Sequence, residues 1–243
     1  MTENLQHTDE NDFPVEKIFT NLLWDDLILN SATKENIIQI KNDILSHLIN
    51  RATLYGPLGT GKTTTSALLG KILKQNVYRI NAPKLPLYNL VEMKNYLNDF
   101  FIKAKENVWI VVLHEPYLLF RNRDAEISDF LIEKIKNYPG VILFTINGEN
   151  EEGNAFYNKD YKTIVFNKPD VQERILLWKE YLEFDTTLQD PDFLTEISEN
   201  FVVTGGQIVN AIRAAAITAS KRDNSSLIQK KDLVDAITAE IKK

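Results

Sequence analysis

The chain has 243 residues, 44% hydrophobic and 26% charged, which is length enough for one large domain or two small ones around a real core. It has no cysteine, which excludes disulfides, thiolate metal sites and a thiol nucleophile. A net charge of −6 argues against a protein that grips nucleic acid through its phosphate backbone alone.

In chain order, residues 1–12 are polar and acidic and read as a disordered tail, with no apolar core and no cleavage pattern of a signal peptide. With no cysteine in the chain a cytoplasmic location is the default expectation, and no run approaches the about 18 apolar residues of a membrane-spanning helix. The three histidines, His7, His47 and His114, are scattered, so no zinc site is expected from them. Residues 13–30 are mixed, with Phe13, Ile18, Phe19, Leu22, Leu23 and Trp24 expected to pack on the body. Asn30, Ser31 or Thr33 can cap a helix that runs to about Ile49, with Ile37, Ile40, Ile44 and Leu48 at helical spacing.

A short strand at 52–55 then leads into GPLGTGKTTT, which opens a helix from Lys62 to about Lys74. A second strand is expected at 76–80, a loop at Pro83 and Pro86, and a helix from about Leu90 to Lys105. Residues 108–113 form a continuous apolar strand that ends in His114-Glu115. A helix carrying Ile127, Phe130, Leu131 and Ile135 follows and ends at Pro139-Gly140. Strands are expected at 141–146 and 162–166. Such apolar runs between helices predict a buried, mostly parallel, five-stranded sheet with helices on both faces. After Pro169 no strand is expected, and four helices are predicted at 170–182, 190–200, 205–220 and 228–242. The chain therefore divides into a tail (1–12), an α/β domain (13–169) and a helical domain (170–243).

The segment Gly56-Pro57-Leu58-Gly59-Thr60-Gly61-Lys62-Thr63 matches G-x-x-x-x-G-K-[ST]. Its glycines let successive N–H groups curl toward a phosphate chain, and the following helix adds its dipole. Gly56, Pro57, Gly59, Thr60, Gly61, Lys62, Thr63 and Thr64 are the nucleotide-binding candidates. Lys62 is placed to reach the β and γ phosphates of ATP, and the Thr63 hydroxyl to ligate Mg²⁺. In hydrolases of this kind a neighbouring strand ends in an Asp that helps hold Mg²⁺, followed by a Glu that activates water. Glu115 stands where that base belongs. His114 stands in the place of the Asp and is a poor ligand for so hard an ion. The alternative is a buried strand with a polar end.

These residues resemble the AAA+ ATPases, in particular the extended AAA group of remodelling motors, from about Trp24 to the C-terminus. WDDLIL at 24–29 resembles the segment near the adenine, GPLGTGKT the Walker A loop, and VVLHEP at 111–116 a Walker B strand with His in place of Asp. VILFTIN at 141–147 resembles the sensor-1 strand, with Asn147 at its polar tip. FNKPDVQER at 166–174 resembles the entry to the lid, and TGGQIVNAIRAAAITA at 204–219 the lid helix that follows a Gly pair. The resemblance implies a P-loop three-layer αβα domain with a small all-α lid. It also implies a Mg²⁺-dependent ATPase that assembles as a ring, a hexamer, to remodel a protein partner. Within the family the chain looks most like a bacterial branch found with contractile, phage-tail-like injection systems.

The departures matter as well. Where that branch has Leu-Arg-Arg after Ala-Phe, this chain has Tyr157-Asn158-Lys159 after Ala155-Phe156. The arginines that would touch a neighbour's γ-phosphate, worth roughly 10³–10⁵ in rate in related systems, are missing there. The segment at 86–97 lacks the Gly-Glu-Thr-Glu stretch expected near a ring's pore. Arg121 and Arg123 read as solvated surface or as residues acting across an interface, and Arg213 as a residue pointing to water. Asn147 precedes Gly148 and reads either as a turn residue or, on the family arrangement, as a water-positioning group. Leu27, Ile28 and Ile208 are the candidates for contact with the base. The catalytic set is Glu115, Asn147 and Lys62. Slow or conditional hydrolysis is expected, and a hydrolysis-impaired nucleotide-binding scaffold stays open beside it. A DNA-replication-type loader is disfavoured by the acidic balance and the lack of a helix-turn-helix or basic stripe. A small-molecule kinase ranks last.

Overall fold

The computed structural model describes residues 13–116, 125–148, 161–182, 188, 190–222 and 227–242. Its elements run β1 (Val15–Ile18), α1 (Ser31–Leu45), β2 (Arg51–Gly56), α2 (Lys62–Leu73), β3 (Val77–Asn81), a 3-10 helix (Ala82–Leu87), α3 (Leu90–Glu106) and β4 (Ile110–His114). After these come α4 (Ala125–Asn137), β5 (Ile142–Asn147), β6 (Lys162–Val165), α5 (Val171–Tyr181), α6 (Pro191–Asn200), α7 (Gly205–Arg222) and α8 (Lys230–Ile241).

The sheet has six strands in the order β1-β3-β4-β5-β2-β6. All pairs are parallel except β1 with β3. The expectation of five strands is therefore corrected by an antiparallel edge strand. β1 is hard to read in sequence because it is four residues long and carries Glu16 and Lys17 between its apolar ends, with burial only at those ends.

Side chains alternate across the central strands, and this layers the core. Val111 and Leu113 of β4 and Phe144 of β5 face α3 and α4, where they join Leu97, Phe100, Phe101 and Leu131. Ile110, Val112 and Leu143 face the other way, onto Ile37, Ile40 and Ile44 of α1 and Leu68 and Leu69 of α2. Buried on both faces, these strands read as unbroken apolar runs. A third cluster, with Trp178, Leu194, Ile197, Ala211, Ala215, Leu233 and Ile237, is built from α5 to α8. No single helix among the described residues is long and apolar enough to cross a membrane.

Local chemistry sets the helix ends. The Asn30 side chain accepts from Thr33 N–H at 2.7 Å and starts α1. The helix stops at Leu45, short of the expected Ile49, because His47 turns left-handed (φ 55°) and the N–H groups of Leu48 and Ile49 turn back to the Asp43 carbonyl. At α5 the Asp170 carboxylate accepts from Glu173 N–H, and the Glu173 carboxylate accepts in return from Asp170 N–H. Pro83 and Pro86, expected in a loop, lie in the 3-10 helix; proline's fixed φ suits such a tight turn.

Candidate functional site

β2 and β5 run side by side, with Gly56 opposite Asn147. β4 lies next to β5, with His114 opposite Thr145. The phosphate-binding candidates, the His-Glu strand end and the sensor-like Asn are thus brought to one end of three adjacent strands. In an open α/β sheet, ligands bind at the carboxyl ends of the strands.

The loop 56–61 requires its glycines. Gly56, Gly59 and Gly61 have φ of 146°, 80° and 98°, where side chains are strained. A Cβ on Gly56 would also lie 2.0 Å from the Phe166 carbonyl oxygen. Gly61 caps α2 with no side-chain bond, which leaves the helix's first N–H groups open to an anion. Thr60 Oγ1 closes the loop by donating to the Pro57 carbonyl at 2.8 Å.

Lys62 is buried and folds back on this loop. Its Nζ donates to the Gly56 and Pro57 carbonyls, each at 2.7 Å. Burial pushes its pKa down to about 8, against the partial support of nearby Glu115. Pro57, Gly59, Thr60, Gly61, Lys62, Thr63 and Thr64 line a cavity of about 980 Å³ together with His114, Thr145 and Asn147.

Glu115 is buried with φ 52°, a left-handed conformation that costs a non-glycine residue on the order of 1–3 kcal/mol. Its backbone N–H donates to the Thr145 carbonyl at 2.9 Å. Its carboxylate oxygen Oε1 accepts from the Asn147 backbone N–H at 2.5 Å. The carboxylate is therefore bound to the strand end and does not line the cavity, whereas Asn147 does. The Asn147 side-chain oxygen is buried with no partner, an acceptor positioned for a donor that a ligand or its water can bring.

His114 points into the cavity, with Nδ1 3.1 Å from Thr145 Oγ1. Burial, and then the positive charges of Arg79 and Lys62, pull its pKa down, so at neutral pH the ring is uncharged. Of the hard oxygen ligands a Mg²⁺ ion requires, the loop offers the Thr63 hydroxyl, and β4 offers only an imidazole. Among the described residues no group of three or more His, Asp or Glu could hold a metal ion. The donor set does not fit a tightly held Mg²⁺.

The C-terminal helices reach the loop directly. Gly206 N–H donates to the Gly59 carbonyl at 2.9 Å, and a Cβ on Gly59 would lie 2.6 Å from Thr204 Oγ1. Of the candidates for contact with the base, Leu27 and Ile28 line the cavity, while Ile208 is buried in the helical core and Val209 lines the cavity beside it. Arg213, read from the sequence as pointing to water, is exposed yet also borders the cavity. Two contributors went unread: Arg79, hidden in a short strand, and Thr145, one more small residue in an apolar run. Arg121, Arg123 and residues 155–159 lie outside the described residues, as does the tail at 1–12.

Residues 52–150 match the family model "ATPase family associated with various cellular activities (AAA)". The chain is 25% identical over 231 residues to a putative cell division cycle ATPase of Plasmodium falciparum and 23% identical over 207 residues to a 26S proteasome regulatory subunit 6B homolog of Aspergillus niger. These matches use 82% and 78% of this chain but only 18% and 49% of those proteins. A chain solved in work on the structural basis for katanin self-assembly superimposes with a TM-score of 0.72 at 19% identity, covering 88% of this chain and 83% of that one. Residues 52–150 thus carry the AAA ATPase family's sequence pattern, and the mostly parallel sheet with its phosphate loop and C-terminal helices has the P-loop AAA fold.

Proposed function

We propose that this chain is an ATP-binding AAA module that assembles as a ring and remodels or assembles a protein complex, with slow or conditional hydrolysis. The observation that carries this reading is a complete phosphate loop, joined to the C-terminal helices through the Gly59–Gly206 bond, beside a strand end that presents neutral His114. The loop amides and Lys62 take the phosphates, the aliphatic side chains of Leu27, Ile28 and Val209 take the base, and Asn147 takes a polar atom of the substrate or its water. Glu115 is the base. To act, it must leave the Asn147 N–H and turn toward the cavity, a step that costs a charge-assisted hydrogen bond.

AAA ATPases in general use ATP with Mg²⁺, and the unsuitable donor set here is the reason for expecting slow turnover. Self-association is supported by the likeness to a chain solved in work on katanin self-assembly; its closure into a ring rests on the sequence resemblance, and residues 170–243 serve as the lid. A hexamer, and a contractile, phage-tail-like injection complex as its partner, rest on the sequence resemblance alone. The second reading, a nucleotide-held scaffold with negligible turnover, is favoured by His114 specifically.

Steady-state phosphate release from ATP over a wide range of protein concentration separates the two, with ATP binding measured on the same sample. A specific rate that rises with concentration supports the oligomeric ATPase. Binding without release at every concentration supports the scaffold, and no binding overturns both.

The Gly59–Gly206 contact gives a second test. A side chain at 206 would place its Cβ 2.8 Å from Gly59 Cα, backbone against backbone. Gly206→Val is expected to push α7 off the loop and weaken ATP binding roughly tenfold or more, since such overpacking costs about 1–3 kcal/mol. ATP titration against wild type checks this. Unchanged affinity would show that the lid's seat on the loop does not shape the site.

A further inference from the structure

Arg79 stands on β3, opposite Glu16 on β1 and Val112 on β4. It therefore shares a sheet face with Val112 and His114, the face from which the phosphate loop rises. Arg79, His114 and Lys62 line the same cavity. Glu16 holds the guanidinium at Nη2, while Arg79 Nε is buried with no acceptor. A buried donor left without a partner is costly, and such a group marks a place where a ligand oxygen belongs.

The acids that line the cavity are Asp26, from the segment before α1, and Glu173, Glu180 and Glu240, from the C-terminal helices. Glu115 is held on the Asn147 backbone. Around the phosphate loop the cavity lining thus presents Lys62, Arg79 in its pair with Glu16, and a neutral imidazole where a metal-dependent site presents a carboxylate. A divalent cation placed there meets repulsion from Arg79 and Lys62 and gains no carboxylate in return.

We infer that this site takes the polyphosphate of a nucleoside triphosphate without a metal ion, with the Arg79 guanidinium supplying the charge that a bound cation would otherwise bring. The inference rests on the nucleotide-binding reading above. A guanidinium suits the task because its fork matches phosphate oxygens and its charge is permanent. Glu16 orients one edge of that fork and leaves Nε for the ligand.

The test is calorimetric titration of the full chain with ATP at fixed ionic strength, once with MgCl₂ and once with EDTA, each variant first checked by thermal melting. Wild-type affinity is expected to agree within about threefold between the two buffers. Arg79→Met is expected to weaken binding in EDTA about tenfold or more, the scale of one lost charge-assisted hydrogen bond. His114→Asp, which keeps both Glu16 and Arg79 in the chain, is expected to bind about tenfold tighter with MgCl₂ than with EDTA. It therefore still decides the matter if Arg79→Met fails to fold. Wild-type binding that requires MgCl₂, or an Arg79→Met affinity equal to wild type in EDTA, overturns the inference and leaves the nucleotide site standing. No binding in either buffer overturns the nucleotide-binding reading itself.

Discussion

His114→Asp is expected to raise the rate of phosphate release from ATP with Mg²⁺ by roughly 10²-fold, the lower end of the about 10²–10³ that one well-placed electrostatic contact is worth in a closed site. His114 ends β4 on the face that bears the phosphate loop, opposite Thr145, and its side chain points into the cavity. An Asp there is shorter, charged and hard, and it would line the same cavity as the Thr63 hydroxyl, the other oxygen suited to Mg²⁺. It would also draw on Arg79 and Lys62, the cations that now depress the His114 pKa. The gain should depend on Glu115. In the double variant His114→Asp, Glu115→Gln the rate should fall to the wild-type level or below it, because a Gln amide cannot accept the proton of the attacking water. A His114→Asp rate equal to wild type, with ATP binding intact, would mean that the block lies elsewhere, at the Glu115–Asn147 bond or at the missing neighbour arginines. A rate gain that survives Glu115→Gln would remove Glu115 from the catalytic role.

The readable parts of this protein are those in which a local rule and the tertiary structure ask for the same residue. The phosphate loop is one: its three glycines sit at positive φ, so the backbone demands the residue that the motif spells. The central strands are another, because burial on both faces makes them continuous apolar runs. The C-terminal helices begin where the apolar pattern changes period. Less was legible where a residue's meaning depends on a distant partner. Glu16 and Arg79 lie 63 positions apart in sequence (79 − 16) and meet only through antiparallel pairing at the sheet edge. Neither has a periodic pattern around it. Glu115 was recognisable as an acid at a strand end. That its backbone is left-handed and its carboxylate bonded to Asn147 N–H follows from the β4–β5 contact, which no local spacing encodes. The seat of Gly206 on Gly59 likewise joins two Gly-rich segments whose proximity is a property of the fold.

Lys62→Ala is expected to abolish measurable ATP binding, a loss of at least about 10²-fold, and to do so without destabilising the empty protein. The first part follows from the lysine's place at the centre of the loop, where it is the cation nearest the phosphate-binding amides. The second follows from its depressed pKa of about 8, against 10.5 for a free lysine. An ammonium whose pKa falls on folding is one the folded state accommodates poorly, here by an amount on the order of 3 kcal/mol. Below about pH 8 both folded and unfolded chains carry the proton, and the cost is present in full. Between about 8 and 10.5 the unfolded chain binds more protons than the folded one, so stability rises with pH across that window. In Lys62→Ala this rise should be missing, and at pH 7 the variant should melt at or above the wild-type temperature. Binding has the opposite slope. A polyphosphate beside the amine restores its proton, so wild-type ATP affinity should fall as pH rises above about 8, by at most tenfold per unit, and the complex should take up a proton on forming. Thermal melts of the two proteins from pH 7 to 10, with ATP titrations of the wild type in buffers of different ionisation enthalpy, check both slopes. A wild-type affinity that is flat from pH 7 to 9.5 would show that the lysine is fully charged in the empty site, and the back-folded Lys62 would then be a preformed phosphate ligand that meets ATP at no protonic cost.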